Sequence, residues 1–181
     1  PIYLTNAYFM MPFQFLKPTE VWRVRPSDPG QRYDRAVDLS YPPAEHIGQG
    51  RINRAGVPVF YAGSSPETCF AESRRRKDDY FHLTRYIIEP ERNAFILRIG
   101  QLDAVRRGQS LDSPQDLIHY QTLFSRLRPD VLIATQLVDA FFFDQMSRKG
   151  DPHQYAITNA IATNLMSGQS IAGLLYPSVE H

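Results

Sequence analysis

The sequence predicts one α+β domain, and three observations favour this class. The chain has 181 residues, of which 43% are hydrophobic, and this suits a single domain with one core. Several short segments alternate apolar and polar residues as half-buried strands do, whereas others place apolar residues at helical spacing. Because strand-like and helix-like segments follow one another in mixed order, we expect an α+β or α/β arrangement.

The first part of the chain is predicted to contain two strands separated by a long loop. Residues 20–25 alternate apolar and charged side chains, and Pro26 should end that strand because it cannot donate to a sheet. The segment 27–50 is rich in Pro, Gly, Asp, Ser and Arg, and so long a loop inside a domain is usually functional. Residues 57–62 are predicted to form a short buried strand.

A helix is predicted directly after this second strand. Ser65 can cap it, and Pro66 suits the first helical position because the N–H that proline lacks has no partner there. The helix should pass through Cys69 and Glu72 and end near Arg76. This placement puts the carboxylate of Glu72 on a helix that follows a strand.

Three further strands are predicted later in the chain. Residues 82–88 and 94–99 have strand-like composition, and the intervening turn, residues 89–93, predicts that they form a hairpin. Residues 171–176 are predicted to be the final strand, which leads to Ser178.

The second half is predicted to be mainly helical. Ser113 followed by Pro114 is typical of a helix start, and the helix should run up to Pro129. For residues 131–135 strand and helix are both open. Residues 155–166 place apolar side chains on one helical face, and Gly168 is a suitable C-cap.

Composition and motifs argue against several classes of function. The chain carries 20 Lys and Arg against 19 Asp and Glu, which is too little basic excess for nucleic acid to be expected as a direct partner. Cys69 is the single cysteine and cannot form an internal disulfide, so we expect a cytoplasmic protein. No stretch approaches the roughly 18 apolar residues of a membrane span, so no membrane association is expected. No zinc motif, P-loop, GxGxxG or GxSxG pattern is found, and no metal or resident cofactor is expected.

Residues 50–72 hold a set of side chains suited to catalysis. Arg51 precedes Tyr61 by ten residues, and Glu72 follows Tyr61 by eleven. An arginine at a loop edge, a tyrosine ending a strand and a carboxylate on the next helix can converge on one cleft. On spacing alone a structural interpretation competes: a surface ion pair for Arg51, a core aromatic for Tyr61 and a solvated helix position for Glu72.

The same segment resembles the RES family, named for its arginine, glutamate and serine. The residues that match the family in register are Gly50, Arg51, Asn53, Gly56, Pro58, Tyr61, Ala62, Thr68, Ala71 and Glu72. Two further blocks match in order: Trp22-Arg-Val-Arg-Pro26 near the start, and residues 155–159 with the Tyr-Pro-Ser ending at Ser178. The resemblance covers residues 20 to 180.

The resemblance also indicates boundaries and departures. By this resemblance, residues 20–181 would form an RES domain and residues 1–19 an extension of unknown role. The family usually continues past Tyr-Pro-Ser, so we expect the domain to be truncated at its C-terminus. The loop before Gly50 is long, as in larger members, and Cys69 stands where alanine is common.

The resemblance implies a fold similar to ADP-ribosyltransferase toxins, with a mixed sheet core and flanking helices, and an enzyme that consumes NAD⁺ as its substrate. A helix-turn-helix antitoxin is the expected protein partner. A homodimer is possible through apolar residues such as Trp22 and Phe141 to Phe143, for which a core position is the alternative.

Roles for the matched residues follow from this resemblance. Glu72 would stabilise the positive charge of an oxocarbenium-like transition state, and Tyr61 would stack on nicotinamide or close the pocket. The remaining predicted site residues would bind the pyrophosphate or ribose: Arg51, Arg23, Arg25, Asn53 and Ser178. For Asn53 the alternative is that it only shapes the turn.

Three hypotheses of function result. The first is cleavage of the nicotinamide–ribose bond of NAD⁺ by water or phosphate. The second is transfer of ADP-ribose to a protein or nucleotide, which shares the first step and differs in the acceptor. The third is a binding module without catalysis, against which the presence of all four matched site residues argues: Arg51, Tyr61, Glu72 and Ser178.

Overall fold

The computed structural model describes residues 14–15, 17–73, 78–90, 94–108, 118, 120–122, 124–148, 152–167, 171–176 and 178. Its elements, in chain order, are β1 (Thr19–Pro26), α1 (Ala36–Leu39), a 3₁₀ helix (Ala44–His46), α2 (Pro66–Ser73), β2 (Phe81–Ile88), β3 (Phe95–Arg98), α3 (Gln101–Arg106), α4 (Pro129–Ser147), α5 (Pro152–Met166) and β4 (Ile171–Leu175). Helices and small sheets together confirm the predicted α+β class. The described residues fall into two compact units, one of residues 14–90 with Ser178 and one of residues 94–176.

The first unit is built on an antiparallel ribbon of β1 and β2. The pairing runs from Thr19 opposite Ile88 to Pro26 opposite Phe81, so the strand predicted at 20–25 is confirmed and Pro26 is its last residue. Directly opposed residues of an antiparallel pair project to the same face. We call one face of the ribbon the arginine face; it carries Val21, Arg23, Arg25, His82, Thr84 and Tyr86.

Helix α2 begins as its sequence predicts and lies against β1. The backbone N–H of Thr68 donates to Ser65 Oγ at 3.2 Å, which is the expected capping bond ahead of Pro66. The Cys69 thiol donates to the Trp22 carbonyl oxygen at 2.8 Å. Arg76, where we expected the helix to end, is outside the described residues.

The strand predicted at 57–62 is wrong, because in the structure these residues form no strand. Gly63 alone forms a bridge, exchanging two backbone hydrogen bonds of 2.8 Å with Trp22. Pro58 has no N–H to donate to a neighbouring strand. The Val57 N–H donates to the Arg54 carbonyl oxygen at 3.1 Å, which forms a turn. The segment therefore follows β1 without pairing along it.

The predicted hairpin between 82–88 and 94–99 is also wrong, although both strands exist. Strand β2 pairs with β1, and β3 pairs in parallel with β4, with Phe95 opposite Ile171. Consecutive strands are the usual partners, and β1 with β2 follows this rule, whereas β2 and β3 belong to different units and do not pair. The strand predicted at 171–176 is confirmed as β4.

The second unit buries a helical core. Residues 131–135 belong to α4, which resolves the open choice in favour of helix, and Pro129 occupies its first position. Met146 and Ala162 of α4 and α5 are fully buried, and the predicted helix at 155–166 is confirmed within α5. The 113–114 start signal and Gly168 are outside the described residues. Among the described helices, none is both long and apolar enough to cross a membrane.

A buried carboxylate joins two helices of this unit. Asp139 of α4 is fully buried, and its side chain accepts backbone hydrogen bonds from Gly100 at 2.8 Å, Leu102 at 2.8 Å and Asp103 at 3.0 Å. These are N–H groups at the start of α3, where a helix leaves its donors without internal partners. Asp139 therefore caps α3 from a distant helix.

Replacing Asp139 by alanine should leave three buried N–H groups without an acceptor. We expect Asp139→Ala to lower the free energy of unfolding by about 3 kcal/mol or more, since each buried unsatisfied group costs roughly 1–3 kcal/mol. Asp130→Ala on the same helix removes only an exposed ion pair with Arg128 and should cost less than about 1 kcal/mol. Denaturant unfolding measures both, and equal losses would contradict the capping role.

Candidate functional site

Arg23 is the central charged group of the arginine face. Its guanidinium lies over the Phe60 ring, 5.0 Å from the ring centroid, and Nη1 donates to the Tyr61 carbonyl oxygen at 3.1 Å. Burial lowers the pKa of the Arg23 guanidinium from its ordinary value, and the nearby Tyr86 hydroxyl opposes this shift. An arginine nevertheless remains a cation in proteins, so a half-buried positive charge stays at this position.

The Tyr61 hydroxyl organises the loop that carries Arg51. It accepts the backbone N–H of Ile52 at 2.9 Å and donates to Asn53 Oδ1 at 2.9 Å. The Asn53 amide in turn donates to the Gly48 carbonyl oxygen at 3.0 Å and to that of Arg54 at 2.9 Å. Asn53 is buried, and its hydrogen bonds hold the turn. Because it also lines a cavity, its contact with substrate stays a prediction.

Gly50 is required by this network. A Cβ atom at position 50 would lie 2.4 Å from Asn53 Oδ1 and 2.8 Å from the Tyr61 hydroxyl oxygen. Both distances are shorter than atoms at van der Waals contact allow. The same comparison at Gly48, two residues earlier, finds no atom within 4 Å.

Several of these residues line a cavity of about 290 Å³ in the first unit, and this cavity is open to solvent. Its lining consists of Arg23, Pro42, His46, Ile47, Gly48, Gln49, Gly50, Asn53, Val59 and Tyr61. Among the described residues that line the cavity, Arg23 is the one permanent charge, and none is a carboxylate. The cavity is therefore suited to an anionic group.

Arg25, two residues along the same face of β1, contacts the long loop instead. Its guanidinium lies 4.9 Å from the centroid of the Tyr33 ring and donates to the Asp38 carbonyl oxygen. Arg25 does not belong to the lining of the cavity. Its contacts are those of a side chain that holds the loop.

Glu72 and Ser178 form a second group of site residues. Ser178 Oγ donates to Glu72 Oε1 at 2.5 Å, although the two residues are separated by 106 positions in the sequence. Glu72 is exposed on α2 and Ser178 is half-buried. A short bond from a hydroxyl to a carboxylate is typical of a charge-assisted hydrogen bond, so the carboxylate is held in one orientation.

All seven predicted site residues lie in the first unit. Contacts join six of them in two groups: Arg23, Tyr61 and Asn53 around the cavity, with the half-buried Arg51 on the same loop, and Glu72 with Ser178. Arg25, which contacts the long loop, belongs to neither group. That both groups serve one cleft stays a prediction. Within the described part of the chain, no cluster of three or more His, Cys, Asp or Glu side chains could hold a metal ion.

Comparison with known proteins decides the family. The family model described as RES domain matches residues 20–181, and that range contains every residue of the two groups. The chain belongs to the RES family. No curated protein and no solved structure gave a significant match.

Membership in the RES family indicates a toxin-type enzyme that uses NAD⁺, and proteins of this family are generally paired with an antitoxin. The helices and small sheets of this RES domain are consistent with an ADP-ribosyltransferase-like fold.

Sequence reasoning missed the groups that hold the arginines of this RES domain. The Phe60 and Tyr86 rings contact each other edge to face, with their centroids 4.9 Å apart. The Arg23 guanidinium also lies over the Phe60 ring. Strand β2 offered a signal, because His82, Thr84 and Tyr86 alternate onto the face that Arg23 and Arg25 share. The cavity residues His46 and Gln49 were indicated only by the unusual length of their loop.

The two glycines of the cavity give a matched test of the Tyr61–Asn53 network. We expect Gly50→Ala to lower the free energy of unfolding by about 1–3 kcal/mol, because the added methyl group must displace Asn53 or Tyr61. Gly48→Ala should unfold within about 0.5 kcal/mol of the parent, since the space there is open. Denaturant unfolding of both variants checks this, and equal stability of the two would show that the network does not depend on Gly50.

Proposed function

We propose that this RES protein cleaves the nicotinamide–ribose bond of NAD⁺ and thereby depletes the NAD⁺ of the cell. The observation that carries the proposal is the 2.5 Å bond between Ser178 and Glu72. It brings together the serine and the glutamate for which the family is named. A carboxylate oriented by a hydroxyl group, in the same unit as a cavity that Arg23 lines, supports cleavage of an anionic dinucleotide.

One carboxylate suffices for this reaction. Nicotinamide leaves NAD⁺ as a neutral molecule because its ring nitrogen is already cationic, so no acid has to protonate the leaving group. Ordinary glycosides differ, since a second carboxyl group must supply that proton. Glu72 would stabilise the developing positive charge of the ribosyl group, and Ser178 would keep its carboxylate oriented.

The cavity would hold the phosphate-bearing part of the substrate. Its volume of about 290 Å³ is just below the range of about 300–1,000 Å³ for small-molecule sites, which suits one part of a dinucleotide. A phosphate near Arg23 would offset the cost of keeping that cation partly out of water. Arg51 would supply a second guanidinium to the pyrophosphate, and Tyr61 would close the pocket.

The acceptor of the ADP-ribosyl group is water or phosphate in this proposal. Transfer to a protein or nucleotide uses the same first step, and the fate of labelled NAD⁺ separates the alternatives: free ADP-ribose or its phosphate on one side, labelled macromolecules on the other. We propose that the enzyme acts in the cytoplasm and that a helix-turn-helix antitoxin blocks it by covering the cleft.

Replacing Glu72 by glutamine tests the role of its charge. We expect Glu72→Gln to lower kcat for nicotinamide release by on the order of 10²-fold or more, since each 1.36 kcal/mol of barrier is tenfold in rate. Its stability should change by less than about 0.5 kcal/mol, because the side chain is exposed. Glu67→Gln, an exposed glutamate in the first turn of the same helix, is the matched control and should retain the parental rate. A folded Glu72→Gln protein that still cleaves NAD⁺ at that rate would remove Glu72 from the mechanism.

Replacing Arg51 by alanine should show the opposite balance. The pyrophosphate contact exists in the ground state as well as in the transition state, so its loss should raise KM by on the order of tenfold or more and change kcat less. The control is Arg54→Ala, an exposed arginine on the same loop, for which both constants should stay within about twofold of the parent. Steady-state kinetics decide the matter, and an unchanged KM in Arg51→Ala would exclude Arg51 from substrate binding.

A further inference from the structure

Residues 31–41, which follow β1 and precede most of the cavity lining, contact the arginine face at several points. The Tyr33 ring meets the His82 ring edge to face at 4.7 Å, and His82 Nε2 lies 3.0 Å from the Gln31 carbonyl oxygen. Further along, the Tyr41 and Phe60 rings are 6.2 Å apart. The segment therefore follows the ribbon closely before it reaches the cavity.

Two side chains of the arginine face fix this segment by its main chain. Arg25 donates to the Asp38 carbonyl oxygen, and the Tyr86 hydroxyl donates to the Leu39 carbonyl oxygen at 2.7 Å. These are the last two residues of α1, whose terminal carbonyl groups have no partners within the helix. Arg25 and Tyr86 supply the missing donors, so α1 ends at the ribbon.

The residues that follow α1 form much of the wall of the cavity. Pro42 lies three residues after Leu39, and the wall continues from His46 to Gly50. We call residues 40–49 the wall segment. Its entry point is set by Arg25 and Tyr86, and its exit is set by the bond from Asn53 to the Gly48 carbonyl oxygen.

We propose that Arg25 and Tyr86 are positioning residues, which hold the wall segment in place and so determine the affinity of the cavity for its dinucleotide without contacting the reacting atoms. The inference rests on the proposed function and deepens it, since it concerns the substrate affinity of the same site. An enzyme whose wall is closed only part of the time binds its substrate more weakly in proportion to the closed fraction. The substrate contact of Arg25 expected from the sequence stays a prediction, and the role proposed for Arg25 in this subsection is an indirect one.

The test compares two double variants of the full chain. Arg25→Ala combined with Tyr86→Phe removes both donors and keeps the ring that contacts Phe60. Arg85→Ala combined with Tyr80→Phe makes the same chemical changes at exposed positions, where Arg85 has only an exposed ion pair with Glu20 among its described contacts. For the first pair we expect KM for NAD⁺ to rise by on the order of tenfold, with kcat within about twofold of the parent. The second pair should match the parent in both constants.

Two single variants test the two donors separately. Tyr86→Phe alone should raise KM ~3-fold or more, and it serves if the double variant does not fold. Arg25→Lys, which keeps a cationic donor, should recover part of the affinity lost in Arg25→Ala. A folded variant with an unchanged KM overturns the proposal. A fall in kcat with an unchanged KM also overturns it, because a smaller amount of folded protein would give the same result.

Amide hydrogen exchange of the substrate-free protein separates this inference from the proposed function. Loss of the two donors should speed exchange in the wall segment by on the order of tenfold, while exchange in α2 stays as in the parent. If the parent does not cleave NAD⁺, the proposed function fails, yet the exchange result still decides whether Arg25 and Tyr86 hold the wall. Unchanged exchange in the wall segment would overturn that role.

Discussion

The first unit depends on how two arginine cations on one face of a two-stranded ribbon are covered. Arg23 and Arg25 project from β1 on the arginine face, and a charge withdrawn from water is costly unless other groups compensate it. Phe60 and the Tyr61 carbonyl group cover Arg23, whereas Tyr33 and the Asp38 carbonyl group cover Arg25. Aromatic faces and main-chain oxygens thus replace part of the solvent around both guanidinium groups.

This constraint explains why the candidate site has so little regular secondary structure. The carbonyl group that Arg23 uses belongs to the same segment whose Gly63 bridges to Trp22, so residues 60–63 are drawn onto β1 by side-chain and main-chain bonds together. The Tyr61 hydroxyl is thereby placed to organise the Asn53 turn. Gly63 then leads directly into the capped start of α2, which carries Glu72. The arginine face in this way connects the cavity to the helix of the carboxylate.

Local signals in the sequence predicted those elements that local interactions form. The Ser65–Pro66 start of α2 and the end of β1 at Pro26 were correct, because capping and the missing proline donor act within a few residues. The hairpin was wrong because strand pairing depends on distant residues. Residues 131–135 were ambiguous because Val-Leu-Ile suits strands and helices equally, and the 19-residue helix around them decided the outcome.

The candidate site could be predicted only in part for the same reason. The partner of Arg23 lies 38 positions away and that of Ser178 lies 106 positions away, and no spacing rule connects such residues. The family resemblance supplied the identities of Arg51, Glu72 and Ser178. It did not supply the wall segment, whose role depends on main-chain carbonyl groups, and main-chain groups leave no mark in a sequence pattern.

The most direct test of the account compares NAD⁺ with NADH as substrates of the purified protein. The proposed reaction depends on a cationic nicotinamide ring that leaves as a neutral molecule, and the reduced ring of NADH carries no such charge. We expect nicotinamide to appear in equal amount to the NAD⁺ consumed, while NADH stays intact under the same conditions. Consumption of both dinucleotides at equal rates, with cleavage at the pyrophosphate and no release of nicotinamide, would contradict the account.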